Sequence, residues 1–323
     1  MVIQLTPLDC RIPKWNQEDL HERPCPICTC AQGDARYIRP DSLNVRICNS
    51  CNTFYVSPAP SNRQLSSFYS TYDERHRRGP RLDSENLLRI YQGFDPFSDI
   101  RVRELSCIMK FRGSKILDVG FGRARLLYAL MKLGATPYGV ELDGKAVEFA
   151  NSLGIPNISQ GTLEDLSDYP KFDLIMLNDL IEHPLNPMAL LKRASSLLSK
   201  GGLLLIWTPN GDVANYEDNP TTFRVDLEHM QYLTIASCIY IASVIKMQVV
   251  HLESLGFPWL DGIDQESPKS LGFMSRINLA IKALPGFSVI NNMRRAMFAP
   301  KDEAERDERT GSYVLFCILR GSS

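Results

Sequence analysis

The stretch ILDVGFGRA, residues 116–124, decides the fold of this chain. Three apolar residues and one acid precede the first glycine, a pattern typical of a buried strand that ends in a tight turn. Gly120 and Gly122 then allow the backbone to turn sharply and to approach a ligand closely at the start of a helix. We therefore predict a strand, a glycine-rich loop and a helix in immediate succession.

The same alternation continues over residues 115–211, where short apolar runs are separated by helical patterns. Strands that alternate with helices indicate a parallel, doubly wound α/β sheet. The predicted strands are Lys115–Val119, Pro137–Glu141, Phe172–Leu177 and Leu203–Trp207. The predicted helices cover residues 124–133, 144–153 and 187–199, and one or two further helices are expected over 84–111.

Glu141 closes the second predicted strand, 21 positions after Gly120. A carboxylate there can accept hydrogen bonds from two ribose hydroxyls of a bound nucleoside. A glycine-rich loop followed by such an acid is typical of NAD-binding sites as well as of S-adenosylmethionine-binding sites. Two features favour S-adenosylmethionine instead. Asp118 lies inside the strand end as an acceptor for an ammonium group, and the loop has no third glycine of the kind that pyrophosphate-binding loops prefer.

The cysteines of the N-terminal region form two CxxC pairs separated by 19 residues. This spacing is typical of a zinc ribbon, because each CxxC turn presents two thiolates and two turns complete a tetrahedron. The predicted ligands of a structural Zn²⁺ are Cys25, Cys28, Cys48 and Cys51. Cys30 is an alternative to Cys28, and a redox role or incidental thiols are the alternatives to a metal.

The composition is that of a soluble globular protein and excludes disorder. The 323 residues are 44% hydrophobic and carry 36 Lys and Arg against 37 Asp and Glu. The balanced charge argues against a dedicated nucleic-acid binder. The N-terminus has no secretory pattern, and the longest apolar run, residues 233–245, is too short for a membrane span of about 20 residues. We therefore expect a cytoplasmic protein without a membrane segment; its oligomeric state is not indicated.

Five segments in this order resemble the motifs of class I S-adenosylmethionine-dependent methyltransferases. They are ILDVGFG (116–122), GVELD (139–143), GTLEDL (161–166), FDLI with NDLIEH (172–175 and 178–183), and LSKGGL to TPN (198–210). The resemblance implies a Rossmann-like, seven-stranded sheet whose last strand is antiparallel, with Gln248–Glu253 and Ser312–Leu319 as strands six and seven. It also implies residues that bind the methyl donor, namely Asp118, Gly120, Phe121, Gly122, Glu141, Leu142, Thr162, Leu163 and Asn178.

A second resemblance covers the flanks of this core. A cysteine ribbon, the stretch YSTY (69–72) and EHMQY (228–232) are similar to the zinc-ribbon sugar C-methyltransferases of deoxysugar pathways. This chain differs in having no long second domain after the core, and in having Asp226 where that group has a tyrosine. The catalytic residues implied by the resemblance are His229, His183 and Glu228. The implied substrate-binding residues are Tyr72 and Asn210.

We expect a zinc-ribbon domain at residues 1–60, a linker with helices at 61–112 and a methyltransferase domain at 113–323. Within the last, residues 257–311 form an extra helical segment that caps the substrate pocket. Its aromatic side chains either line an acceptor site or pack the segment against the core; they are Trp259, Phe273, Phe287 and Phe298.

Together these observations predict a methyltransferase that acts on a small molecule, a sugar nucleotide or a secondary metabolite, with a histidine as general base. The alternative is an RNA methyltransferase that uses the zinc ribbon to recognise rRNA or tRNA. A third possibility is a non-catalytic binding protein that keeps the fold. The presence of Asp118, Glu141 and the Glu228–His229 pair argues against it. The acceptor atom, whether O, N or C, is not indicated.

Overall fold

The computed structural model describes residues 2–8, 11–70, 84–166, 169–215, 220–256 and 313–322. Within these ranges, six short strands precede residue 61. They are β1 (Ile3–Gln4), β2 (Leu20–His21), β3 (Gly33–Ile38), β4 (Asn44–Cys48), β5 (Phe54–Val56) and β6 (Ala59–Pro60). β3, β4 and β5 form an antiparallel meander, β1 adds parallel to β3, and β2 pairs with β6 separately.

Two helices lie within residues 84–111, where the sequence pattern predicts one or two, and a further helix follows the cysteine module (residues 2–60). The helices that the structure describes in this region are α1 (Asn62–Tyr69), α2 (Ser84–Gly93) and α3 (Ile100–Ser106). A short 3-10 turn at Pro96–Ser98 separates α2 from α3, and the Asp95 side chain accepts a hydrogen bond from the Phe97 amide there. Because proline cannot continue an α-helix, Pro96 divides the predicted region into two helices.

The main sheet contains seven strands within the described ranges. Their bounds are β7 (Lys115–Val119), β8 (Thr136–Glu141), β9 (Ile158–Gln160), β10 (Phe172–Asn178), β11 (Leu198–Pro209), β13 (Gln248–Leu255) and β14 (Val314–Arg320). The spatial order is β13-β14-β11-β10-β7-β8-β9, with β14 antiparallel to both neighbours and the other pairs parallel. The predicted α/β class with a parallel sheet is confirmed, as is an antiparallel last strand.

Helices pack on both faces of this sheet, so its central strands are mostly apolar, with the buried Asp118 of β7 as an exception. The helices of this region are α4 (Arg125–Lys132), α5 (Gly144–Ser152), α6 (Pro187–Leu197) and α7 (Ile235–Val244). Successive residues of a strand point to opposite faces. Accordingly, Ile175 and Leu177 of β10 join one core cluster, whereas Leu174 and Met176 join the other.

A short strand that follows β11 in the chain belongs to the N-terminal sheet and not to the main one. This strand, β12 (Gln231–Tyr232), pairs antiparallel with β5, with Gln231 opposite Tyr55 and Tyr232 opposite Phe54. The amide of Val56 also donates to the carbonyl of Met230 at 2.9 Å. The cysteine module (residues 2–60) and the segment at 226–232 are therefore one hydrogen-bonded unit.

Two sequence expectations fall outside the described residues. These are the helical segment at 257–311, with its four aromatic side chains, and the substrate-binding position Tyr72. Within the described ranges, none of the helices combines the length and apolar character needed to cross a bilayer.

Candidate functional site

The glycine-rich loop begins where β7 ends, at the carboxyl edge of the sheet. Gly120 and Gly122 have φ values of +69° and +51°, in the left-handed region that glycine tolerates at little cost. Ala124 has a φ of +57° immediately before α4, which costs a residue with a side chain about 1–2 kcal/mol. The amide of Gly120 donates to the carbonyl of Val140 at 2.8 Å, so the loop is fastened to β8.

Glu141 lies beside this loop, as the sequence spacing predicts. One carboxylate oxygen accepts a hydrogen bond from the Gly122 amide at 2.8 Å, and the other accepts one from the Asp143 amide at 3.0 Å. Each carboxylate oxygen has a second lone-pair direction, so the carboxylate can still accept hydrogen bonds from a ligand. Glu141 thus orders the loop and faces the same edge of the sheet.

Asp118 occupies the buried end of β7 and is only 3% exposed. Its Oδ1 accepts a hydrogen bond from Asn178 Nδ2 at 3.1 Å, and Asn178 Oδ1 in turn accepts one from Arg101 Nη1 at 3.0 Å. Burial raises the pKa of Asp118 to about 7, partly opposed by the Asn178 hydrogen bond and the charge of Arg101. The sequence predicts Asp118 and Asn178 here, and the structure joins them directly.

Arg101 is a residue of this site that sequence reasoning missed. Its guanidinium binds both oxygens of Asp99, at 2.9 Å and 2.7 Å, and lies 4.9 Å from the ring centroid of Trp207. Asp99 also caps α3, and an acid before a helical pattern is the only sequence signal nearby. No spacing relates residue 101 to residue 178, because the contact exists only once α3 packs over the sheet edge.

The remaining predicted donor-binding residues differ in their surroundings. Leu142 is 66% exposed next to Glu141, whereas Leu163 is 1% exposed and packs in the core. The Thr162 hydroxyl donates to Asp165 at 2.8 Å and caps a short turn. Phe121 is buried against β8, so closely that a Cβ on Gly139 would lie 2.6 Å from its ring. Leu142 therefore offers the exposed apolar surface that an adenine ring can cover.

Two histidines that are distant in sequence meet beyond the ends of β10 and β11. The rings of His183 and His229 are 4.8 Å apart between centroids, at an interplanar angle of 77°. Tyr69 Oη lies 2.6 Å from His183 Nδ1, and Glu182 Oε1 lies 4.0 Å from His229 Nε2. Glu182, His183 and His229 each offer a ligand atom within 4.8 Å of the others, a set that can hold a proton or a divalent cation.

Burial shifts the titration of this cluster. It lowers the pKa of His183 to about 4 and raises the pKa of Glu182 well above its ordinary value. His183 is therefore neutral at physiological pH and can accept a proton. Glu182 is nearly inaccessible, and its other oxygen accepts a hydrogen bond from Thr208 Oγ1 at 2.9 Å.

The other two residues predicted on the acceptor side, Glu228 and Asn210, are not part of this close group. Glu228 is buried immediately before His229. Asn210 is fully buried; its amide donates to Ser254 Oγ at 2.9 Å, and its carbonyl oxygen accepts from the Asp212 amide at 2.9 Å. The structure thus groups His183 and His229 closely, but it commits the Asn210 side chain to holding neighbouring chain segments.

The four cysteines of the two CxxC pairs converge. All four sulfur atoms lie within 4.8 Å of one another, with Cys25 and Cys51 at 3.5 Å and Cys28 and Cys48 at 3.3 Å. A tetrahedral Zn²⁺ with bonds of about 2.3 Å needs sulfur separations of about 3.8 Å. The donor set and its spacing fit such an ion, and the cluster includes Cys28, not Cys30.

Comparison with known proteins gives a consistent family. A family model described as "Methyltransferase domain" matches residues 73–243, more than half of the chain. The chain is 31% identical over 142 residues to the ubiquinone biosynthesis O-methyltransferase of Pelagibacter ubique, a match that covers 42% of this chain and 58% of that protein. The enzyme of the same name from Haemophilus ducreyi is 30% identical over 115 residues, covering 32% of this chain and 49% of that protein. The chain spans about half the length of the curated relatives it matches.

Solved structures are similar at lower identity. A SAM-dependent methyltransferase from Archaeoglobus fulgidus has a TM-score of 0.46 and 18% identity, covering 74% of this chain and all of that one. A putative methyltransferase from Bacillus halodurans has a TM-score of 0.46 and 16% identity, covering 70% of this chain and all of that one.

Proposed function

The chain belongs to the methyltransferase-domain family, and from that premise we propose that it transfers the methyl group of S-adenosylmethionine to a small-molecule acceptor. The observation that carries the proposal is the placement of the glycine loop and the histidine pair at one edge of the sheet. β7 and β10 are parallel neighbours, so the segments after both strands emerge side by side. Leu180, between Asn178 and His183 in sequence, approaches within 3.3 Å of the position that a Cβ on Gly120 would take.

The donor side is formed by Asp118, Glu141 and Asn178. Asp118 and the Asn178 backbone carbonyl accept from the ammonium of the donor, and Glu141 accepts from its ribose hydroxyls. Leu142 covers the adenine, and Thr162 and Leu163 shape the wall behind it. S-adenosylmethionine supplies an electrophilic methyl group, and the chain aligns it with the acceptor, an effect worth up to about 7–11 kcal/mol of the barrier.

The acceptor side is formed by His229 and His183. His229 removes a proton from the acceptor; Glu182, whose Oε1 lies 4.0 Å from His229 Nε2, and the adjacent Glu228 are the carboxyl groups that can orient its imidazole. His183 is the second candidate for the base, but its pKa of about 4 makes it a weak one, because a base works best with a pKa near the working pH. A neutral His183 instead offers a polar edge to the acceptor.

We also propose that Cys25, Cys28, Cys48 and Cys51 bind a structural Zn²⁺. Metal binding, about 10–16 kcal/mol in comparable peptides, adds to the folding energy of a module whose strands also bury apolar side chains such as Val45, Phe54 and Val56. Three of the four cysteines are buried, which protects the site from exchange with solvent.

A small acceptor is favoured over RNA by two observations. The relatives with the names given above are named for ubiquinone biosynthesis, which concerns a small molecule. In addition, two arginines of the cysteine module are turned inward; Arg39 is fully buried and Arg23 donates to four acceptors of the protein. Neither side chain is available for a phosphate backbone.

The test is an acceptor screen with mass detection, using S-adenosylmethionine labelled in its methyl group. Sugar nucleotides, phenols and secondary metabolites are compared with rRNA and tRNA. For the acceptor that gains the label, His229→Asn is expected to reduce turnover by about 10²–10⁴-fold, the contribution of a positioned base. His21→Asn is the matched control, because that side chain is 67% exposed beside Asp19. Unchanged turnover in His229→Asn would remove it as the base and leave His183 in that role.

A further inference from the structure

Arg39 of the cysteine module is a fully buried arginine whose hydrogen bonds reach the segment at 226–232. An arginine side chain has five N–H donors. Two of them bind Asp41, from Nε at 3.1 Å and from Nη2 at 2.5 Å. The other three bind the segment at 226–232, so every donor has an acceptor and the buried charge is balanced by a buried carboxylate.

The acceptors on the other side bracket the Glu228–His229 pair. Arg39 Nη2 donates to the carbonyl of Leu227 at 2.5 Å, and Nη1 donates to the carbonyl of His229 at 2.6 Å and to Tyr232 Oη at 3.0 Å. A planar guanidinium that binds carbonyls on both sides of a dipeptide fixes its backbone more tightly than a single contact can. The direction in which the two side chains leave the backbone is thereby fixed as well.

Arg23 repeats this arrangement one residue further along the segment. Its guanidinium donates to the carbonyls of Met230 and Leu185 and to Gln231 Oε1, and its Nε donates to the carbonyl of Val56. Val56 belongs to β5, and Leu185 lies in the segment after β10 that carries His183. The module therefore contacts both histidine-bearing segments through arginines, the buried Arg39 and the partly buried Arg23.

The segment at 226–232 has little regular structure of its own to hold it. Asp226 has a φ of +48°, and only Gln231 and Tyr232 are in a strand, which is paired with β5 of the module. A displacement of about 1 Å at a reacting group is enough to cost about 10²-fold in rate. The precision of the histidine site thus depends on the module that lies against it.

We propose that Arg39 is a positioning residue for the acceptor site, through which the cysteine module sets the place of His229. The inference rests on the proposed function only for its effect on methyl transfer. The geometric part, that Arg39 determines the position of the His229 imidazole, stands independently of the reaction.

The test uses the 323-residue chain labelled with ¹⁵N-histidine, in which five histidines give the imidazole signals. Arg39→Lys keeps the charge opposite Asp41 but replaces the planar fork, so it cannot bracket two carbonyls. A double variant, Arg39→Met with Asp41→Asn, removes both charges and serves if the first variant folds poorly. Arg46→Lys is the matched control, since Arg46 Nε and Nη2 both donate to the carbonyl of Gly33 inside the same module.

We expect Arg39→Lys to shift or broaden the His229 signals while those of His21 and His251 stay in place and S-adenosylhomocysteine affinity is unchanged. Methyl transfer to the acceptor found in the screen should fall about 10²-fold, and Arg46→Lys should match the wild type throughout. Unchanged His229 signals in both Arg39 variants would overturn the proposal. So would a uniform change of all histidine signals with a parallel loss of cofactor affinity, because Arg39 would then hold the fold as a whole. Absence of S-adenosylhomocysteine binding in the wild type would instead count against the proposed function alone.

Discussion

At the scale of single residues, the role we propose for Asp118 in binding the methyl donor opposes the stability of the ligand-free protein. The carboxyl group is 3% exposed, and its pKa of about 7 lies well above the value of about 3.9 in an unfolded chain. The folded state therefore favours the neutral acid, and ionisation of Asp118 destabilises the ligand-free protein as the pH rises from about 4 through 7. A cationic donor reverses this preference, because an ammonium beside the carboxylate stabilises its charged form.

Asp118→Asn is accordingly expected to have two opposite effects. The amide keeps an oxygen that accepts from Asn178 and removes a buried charge, so the Tm of the ligand-free protein at pH 8 should rise by a few degrees. Affinity for S-adenosylmethionine should fall, and the tightening of binding that we expect between pH 6 and pH 8 in the wild type should disappear. Differential scanning fluorimetry and titration calorimetry at both pH values check this. A lower Tm with unchanged affinity would contradict it.

Only those residues of the candidate site that follow from a local sequence pattern could be predicted from the sequence. Asp118 and Glu141 follow from their positions relative to the glycine loop, since strand ends and turns are local features. Arg101 does not follow, because its contacts with Asn178 and Trp207 depend on how α3 packs against the sheet edge. The role of Arg39 could not be predicted for the same reason. No residue near it in the sequence indicates that its side chain binds carbonyls about 190 residues away.

At the scale of elements, the strands of the main sheet were the most predictable feature. β7, β8 and β10 begin or end within a residue of their predicted bounds, because buried parallel strands are continuous apolar runs. β11 runs from Leu198 to Pro209 and starts earlier than predicted. Glycine is unfavourable in strands, so the pair at 201–202 made the sequence pattern predict a start after it. The two-residue β12 was not predicted; its strand geometry comes from pairing with β5 and not from its own sequence.

The cysteine cluster is connected to β12 through β5, which follows the cysteines in the chain and pairs with β12. Cys48 ends β4, Cys51 precedes β5, and β5 pairs with the strand that follows His229. If a metal orders this turn, its loss affects the acceptor site as well as the module. The cysteine site is thus expected to support activity without taking part in the chemistry.

Cys48→Ser should abolish binding of a full equivalent of zinc and lower the Tm, because the ion supplies folding free energy that three thiolates and a hydroxyl do not recover. Cys107→Ser is the matched control, since Cys107 is exposed in the residues following α3. Elemental analysis of purified protein and thermal unfolding are the measurements. Full zinc content and an unchanged Tm in Cys48→Ser would refute a metal site at this cluster.

At the scale of the whole molecule, the cysteine module is hydrogen-bonded to the segments that carry His183 and His229. Its five-stranded sheet includes β12, and Arg23 and Arg39 bind the segments that carry both histidines. The inward direction of these cations gives the module a structural role.

Salt dependence checks this view of the molecule. Turnover of a small acceptor should change little between about 50 mM and 200 mM salt, because few charges are screened in forming the complex. An RNA substrate held through 6–10 phosphate contacts would lose about 10³–10⁵-fold in affinity over the same range. Initial rates at the two salt concentrations distinguish the outcomes, and a steep loss would favour the RNA alternative.

The central claim is that the glycine loop with Asp118 and Glu141 binds S-adenosylmethionine. Isothermal titration of S-adenosylhomocysteine into the wild type, Asp118→Ala and the control His21→Asn tests it most directly. We predict saturable binding by the wild type and the control, and a loss of at least about tenfold in Asp118→Ala, the equivalent of about 1.4 kcal/mol. Absence of binding in the wild type, or equal affinity in Asp118→Ala, would contradict the account.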